Sequence, residues 1–149
     1  MVSLAVTLQP ERVLEIKSTE KVGALRELVA AAARSGEAVD EAALHKAVVE
    51  REELSSTAFG DGLAMPHVRL PGIKRFLTVL GRAKHGVDFG STLDNEPVKL
   101  LLLIVGPEPK REDYLKLMGR AAKFLKHERD RLLALEDFGK AASDLAVEY

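Results

Sequence analysis

The stretch "PVKLLLLIVG" constrains this chain more than any other, because Val98 to Val105 is apolar at nearly every position. A strand of that kind has no polar face to offer water, so it must be covered on both sides. Central strands of this sort need helices above and below them. A second apolar run, "RFLTVLGRA", reads as its partner, and "KHGVDFGSTLDNEP" between the two, dense in Gly, Asp, Asn and Ser, reads as loop or turn.

Helical periodicity supplies the covering layers. From Ser18 or Thr19, either a suitable N-cap, apolar residues recur at Val22, Leu25, Leu28, Val29 and Ala32 until "RSGE" ends the pattern at Gly36. Asp40 then caps "EAALHKAVVEREEL", with an inward stripe of Leu44, Ala47 and Val48 continuing to Leu54. After Val105, "PEP" leads into a helix from about Arg111 to Lys126, and "RDRLLALEDFGKAASDLAVEY" forms a last helical stretch. The expectation is one α/β domain over residues 1–149. Its mixed parallel and antiparallel sheet has about five strands, with helices on both faces.

Composition narrows the function classes. The 149 residues carry 22 basic against 23 acidic side chains, which leaves no long-range field to attract nucleic acid or an anionic bilayer. No Cys is present, which removes thiolate chemistry, and no run approaches the length of a membrane span. The N-terminus "MVSLAVTLQPERV" lacks the basic region and apolar core of a signal peptide, so a cytoplasmic protein is expected.

Four histidines remain as candidates for chemistry, and their settings differ. His45 lies beside the inward Leu44 on a helix flank, and His127 sits in the charged run "KHERDR"; both read as surface or flank positions. His85 falls in the predicted turn, where a solvated position is the simpler reading. His67 stands apart, at the end of "STAFGDGLAMPH", a segment too broken for a helix and too rich in Gly for an ordinary strand. Pro66 removes a backbone donor and biases Met65 away from helix, while Gly60 and Gly62 permit positive φ and close backbone approach.

Two further positions have unusual spacing. Arg51 is three residues from Val48 and seven from Leu44, which puts a charge towards the buried stripe of its helix. Such an arginine pairs either with a carboxylate, for instance Glu15 or Asp61, or with a phosphate gripped by its planar fork. Tyr114 lies 4, 7 and 11 residues before Met118, Ala121 and Leu125, so it faces inward in the first turn of its helix, as core or as part of a site. That helix follows the C-terminal end of the central strand, where open α/β sheets bind ligands. A metal site shared by His67 and His85 lacks a third ligand, and none is expected.

Taken together, "REELSSTAFGDGLAMPH" resembles the active-site stretch of enzyme IIA domains of the phosphotransferase system, fructose/mannitol type, including the nitrogen-regulatory members. The pattern Arg-Glu, Ser-Thr, Gly-x-Gly-x-Ala-x-Pro-His is matched by Arg51-Glu52, Ser56-Thr57 and Gly60 to His67. A second block, "GVDFGSTLDNEPVKLLLLIVGPEP", is similar to the family's segment in that place and order, and the resemblance spans about residues 5–140. It implies a cofactor-free phosphohistidine carrier. His67 would accept a phosphoryl group from phosphorylated HPr and pass it to a IIB domain or hold it as a signal. Arg51 would neutralise charge on that group, with Ser56, Thr57, the amides near Gly62 and Arg69 around it. Two departures stand out: Tyr114-Leu115 replaces the family's His-Leu pair, and Val68 stands where Gly is frequent. The first favours a regulatory or stand-alone role over efficient sugar transport, or a binding module that has lost the relay.

Overall fold

The computed structural model describes residues 2–35, 39–90 and 94–149. In chain order the elements are helix α1 (Leu4–Thr7), strand β1 (Leu8–Glu15), α2 (Lys21–Arg34), α3 (Glu41–Leu54), β2 (Ala58–Gly60), β3 (Leu63–Ala64), β4 (His67–Leu70), β5 (Leu77–Val87), β6 (Val98–Pro107), α4 (Arg111–Ala134) and α5 (Lys140–Leu145). They build one mixed sheet in the order β1-β5-β6-β3-β2, with β4 also paired to β6. Strands β1 and β5 are parallel, β5 and β6 antiparallel, and both β3 and β4 run parallel to β6.

Strand β6 is the axis, and its side chains divide the apolar interior into two cores. Leu101, Leu103 and Val105 face α2 and α3, whereas Leu100, Leu102 and Ile104 face α1, α4 and α5. All six are fully buried, which is the physical content of an uninterrupted apolar strand. The mixed sheet between two helical layers is therefore as expected, with six strands in place of about five. Strands β2, β3 and β4 are short. Residues 58–70, too broken for a helix or an ordinary strand, are divided into β2, β3 and β4: Gly60, Asp61 and Gly62 take positive φ between β2 and β3, and Met65–Pro66 separates β3 from β4.

Several boundaries depart from expectation. Strand β5 continues to Val87 through Lys84–Gly86, because Val87 still pairs with Val98 of β6. The long helix α4 runs on to Ala134 and absorbs the start of the last helical stretch, leaving only Lys140–Leu145 as α5. Helix α2 begins at Lys21 after Glu20, with no side-chain cap from Ser18 or Thr19. Ser18 instead lies against Gly23, where a Cβ would collide with its hydroxyl. Val22 is 58% exposed, and Ala24 and Ala31 take part in the buried face of α2 in its place. Gly36, the expected stop of that helix, lies outside the described residues. Asp40 caps α3 as expected, its carboxylate accepting from the Ala43 amide at 3.1 Å. Leu54, at 83% exposure, leaves the stripe, since six residues from Val48 turn it about 120° away.

Candidate active site

The site lies where β4, the C-terminal end of α3 and the first turn of α4 meet beside the C-terminal half of β6. Register places it: His67 pairs with Ile104, near the end of the central strand. The backbone leading to His67 is pinned at each step. The Met65 amide donates to the Thr57 carbonyl (3.1 Å), and the Ile104 amide donates to the Pro66 carbonyl (2.9 Å). Pro66 needs no acceptor of its own, so this tight stretch leaves no amide unsatisfied there.

His67 is half-buried, and its Nδ1 lies 2.7 Å from the Met65 carbonyl oxygen. A carbonyl only accepts, so Nδ1 carries the proton and Nε2 keeps a free lone pair. Burial pushes the ring's pKa below the ordinary 6.5, opposed by the Met65 carbonyl; the Arg51 charge lowers it further and the Glu52 charge raises it. The result is an imidazole that stays neutral and nucleophilic at physiological pH, with a fixed tautomer.

Around it stand two arginines and one phenol. The Arg51 guanidinium is held by its own helix end, donating to the Ser55 carbonyl (3.0 Å). It pairs with neither Glu15 nor Asp61: Glu15 receives Arg82 (2.6 Å), and Asp61 lies in the turn between β2 and β3. Among the described residues Arg51 makes no ion pair, so its charge is available to an incoming anion. Tyr114 is buried, with its ring centroid 5.9 Å from that of His67 and the Arg69 guanidinium 5.4 Å from it on the ring. Arg69 also donates to the Glu108 carbonyl (2.8 Å), which fixes it at the rim. Burial raises the Tyr114 hydroxyl to about 12 against the pull of Arg69 and Arg51, so the phenol is a neutral hydrogen-bond donor at any working pH.

The remaining predicted residues divide. Thr57 is buried and bonded into the loop behind His67, and Ser56 caps that loop by accepting from the Ala58 amide (3.1 Å). Gly62 does not belong to the site. Leu63 pairs with Leu100 while His67 pairs with Ile104, about 13 Å further along the strand. The φ of +75° at Gly62 serves the hairpin turn, where a Cβ would press on the Pro97 carbonyl at 3.2 Å. His85 is likewise remote, seven residues along β5 from Thr78, which lies opposite the Ile104–His67 rung. His67 and His85 therefore lie too far apart to share one metal ion.

Sequence reasoning took Glu52 only as part of a motif and assigned it no role. The structure buries it to 6% exposure, where its carboxylate accepts from the Thr57 amide (3.0 Å), the Thr57 hydroxyl (2.6 Å) and the Lys21 ammonium (2.8 Å). Burial raises its pKa, but the Lys21 and Thr57 contacts outweigh that and hold it below the ordinary carboxylate value. The signal was present in the spacing. Leu44, Val48 and Glu52 are four apart, and it is this stripe that α3 turns inward.

Known proteins resemble this chain in sequence and in fold. A nitrogen regulatory protein of Bradyrhizobium diazoefficiens is 37% identical over 119 residues, 78% of this chain and 76% of that one. The fructose-specific EIIABC component of Bacillus subtilis is 33% identical over 123 residues, 83% of this chain but only 19% of that longer one. The crystal structure of the nitrogen regulatory protein IIA-Ntr from Neisseria meningitidis superposes with a TM-score of 0.84 at 21% identity, covering 96% of this chain and 98% of that one. It shares the fold. The model of the phosphoenolpyruvate-dependent sugar phosphotransferase system, EIIA 2, matches residues 8–142, which takes in α2, α3, α4, the whole sheet and the His67 loop. With a match of that extent, the chain belongs to the EIIA 2 family of the sugar phosphotransferase system.

Proposed function

We propose that this chain is a phosphohistidine carrier that takes a phosphoryl group from phosphorylated HPr, or its nitrogen-regulatory equivalent, onto Nε2 of His67. It then passes the group to a IIB domain or displays it as a signal. The observation that carries this reading is the hydrogen bond from His67 Nδ1 to the Met65 carbonyl, which leaves Nε2 deprotonated beside Arg51 and Tyr114. In the step itself the Nε2 lone pair forms the new N–P bond as the donor's P–N bond breaks, and that electron pair returns to the donor imidazole. The His67 ring gains positive character, which the Met65 carbonyl stabilises through Nδ1–H. Arg51 balances the negative charge on the transferred oxygens, with Arg69 at the rim and the Tyr114 hydroxyl as a neutral donor.

A carrier charged by phosphorylated HPr would work in the cytoplasm, where that donor is made. No described helix is long and apolar enough to cross a membrane. A second reading, a binding module that has lost the relay, is favoured by one observation, the Tyr114 phenol where the family carries His. Incubation with phosphoenolpyruvate, enzyme I and HPr, followed by intact mass measurement, separates the two. The carrier gains one phosphoryl group; the lapsed module gains none.

Arg51 offers a finer test. Arg51→Lys keeps the charge and loses the planar fork, and loss of a bidentate contact worth roughly 1.5–3 kcal/mol slows acceptance about tenfold or more. Normal acceptance by a folded Arg51→Lys protein would remove the arginine from the phosphoryl site.

A further inference from the structure

We propose that Lys21, Glu52 and Thr57 are positioning residues for phosphoryl transfer, forming a polar chain that runs from the start of α2 to the reactive imidazole and fixes the direction of Nε2. The inference rests on the carrier reading of His67 and extends it to residues that touch neither phosphate nor ring.

The links can be followed atom by atom. The Lys21 ammonium lies 4.8 Å from the centroid of the buried Phe89 ring and 2.8 Å from the Glu52 carboxylate. That carboxylate accepts from the Thr57 amide and hydroxyl together, which fixes the Thr57 peptide at the end of α3. The Thr57 carbonyl accepts from the Met65 amide at 3.1 Å, and the Met65 carbonyl accepts from His67 Nδ1 at 2.7 Å. The Thr57–Met65 bond extends the β2/β3 ladder just beyond its Ala58–Ala64 rung, where the chain turns through Pro66 into β4.

Each link is directional, and the last sets which ring nitrogen carries the proton. If Thr57 moves, the Met65 peptide loses the bond that orients its plane, and Nδ1–H loses its acceptor. The ring can then protonate at Nε2, which removes the nucleophilic lone pair. A buried ion pair adds little stability over well-packed apolar side chains, so fold stability alone gives a weak reason for a carboxylate here. Fixing the loop behind His67 is a use to which apolar side chains are unsuited. The chain also accounts for Phe89 in "GVDFG", which props Lys21 from below.

The tautomer is read by nitrogen NMR of the imidazole ring in the unphosphorylated protein, at a pH well above the ordinary histidine value. Acceptance is read with phospho-HPr and with phosphoramidate, a small donor that needs no docking surface and releases ammonia. Glu52→Gln strips a buried pair and risks unfolding, so the informative variants are Thr57→Val, which is isosteric and keeps the amide bond, and Lys21→Met, with Lys21→Arg as the rescue. Thr57→Val and Lys21→Met shift the His67 ring towards the Nε2–H form and slow acceptance from both donors by about three- to tenfold, the loss of one hydrogen bond's worth of orientation. Lys21→Arg restores both readouts. Folded variants that match wild type in tautomer and in rate overturn the positioning role while the carrier reading stands. Failure of wild type to label with either donor overturns the carrier reading itself.

Discussion

His67→Ala abolishes the gain of one phosphoryl mass under relay conditions and leaves thermal stability within about 1 kcal/mol of wild type. The loss is complete because the described residues offer no second acceptor of the same kind. His85 and His127 are exposed, and His45 is on a helix flank with its Nε2 buried and unpartnered. The stability cost is small because, among the described residues, the only hydrogen bond of the His67 side chain is local, to a carbonyl two residues away. Full labelling of the variant would overturn the assignment. The wild-type pH profile carries a second check. A rate that depends on the neutral ring falls on the acid side through the pKa of His67, and burial places that fall below the ordinary 6.5. An acid limb centred above 6.5 would contradict the buried, Arg51-facing environment.

Much of this site was legible in the sequence because local chemistry dictated it. Positive φ at Gly60 and Gly62, the missing donor at Pro66 and the uninterrupted apolar run of β6 are properties of single residues or short windows, and they fix the loop and the sheet axis. Tyr114 was legible through helix periodicity alone. What escaped depended on partners distant in sequence. Glu52 is bonded to Lys21 thirty-one residues earlier, and no local pattern announces that pair. The misplacement of Gly62 has the opposite cause. It is near His67 in sequence, yet a hairpin turn and four rungs of β6 separate them, and proximity along a strand is distance in space. The underestimated length of α4 follows from the same limit. Its last two turns are held by Arg82, which donates to the Leu132 and Leu135 carbonyls and packs on Phe138, and that contact comes from the middle of β5.

Tyr114→His speeds phosphoryl departure from His67 to a fructose- or mannitol-type IIB domain more than it changes acceptance from HPr. The asymmetry follows from charge. Arg51 and Arg69 both act on the Tyr114 position, and in the free protein two cations would keep an imidazole placed there neutral, little different from the phenol as a donor. A phosphoryl group on His67 reverses that field. Its negative charge offsets the two guanidinium groups and favours a protonated imidazole, which can then stabilise the charge that moves during departure. A hydrogen bond to a charged partner is worth roughly 1.5–3 kcal/mol against 0.5–1.5 for a neutral one, so the gain in departure is about five- to a hundredfold. The phenol, with its hydroxyl raised to about 12, cannot make that change of state. The carrier reading therefore predicts a long-lived wild-type phosphoprotein, as would suit a signal. The variant gives up packing, because Tyr114 is buried and carries Arg69 on its ring, so a melting curve accompanies the kinetics. Rapid-quench measurement of the two half-reactions decides the matter: a wild type that already donates to IIB as fast as Tyr114→His makes the phenol a neutral replacement and takes away the main support for a regulatory role.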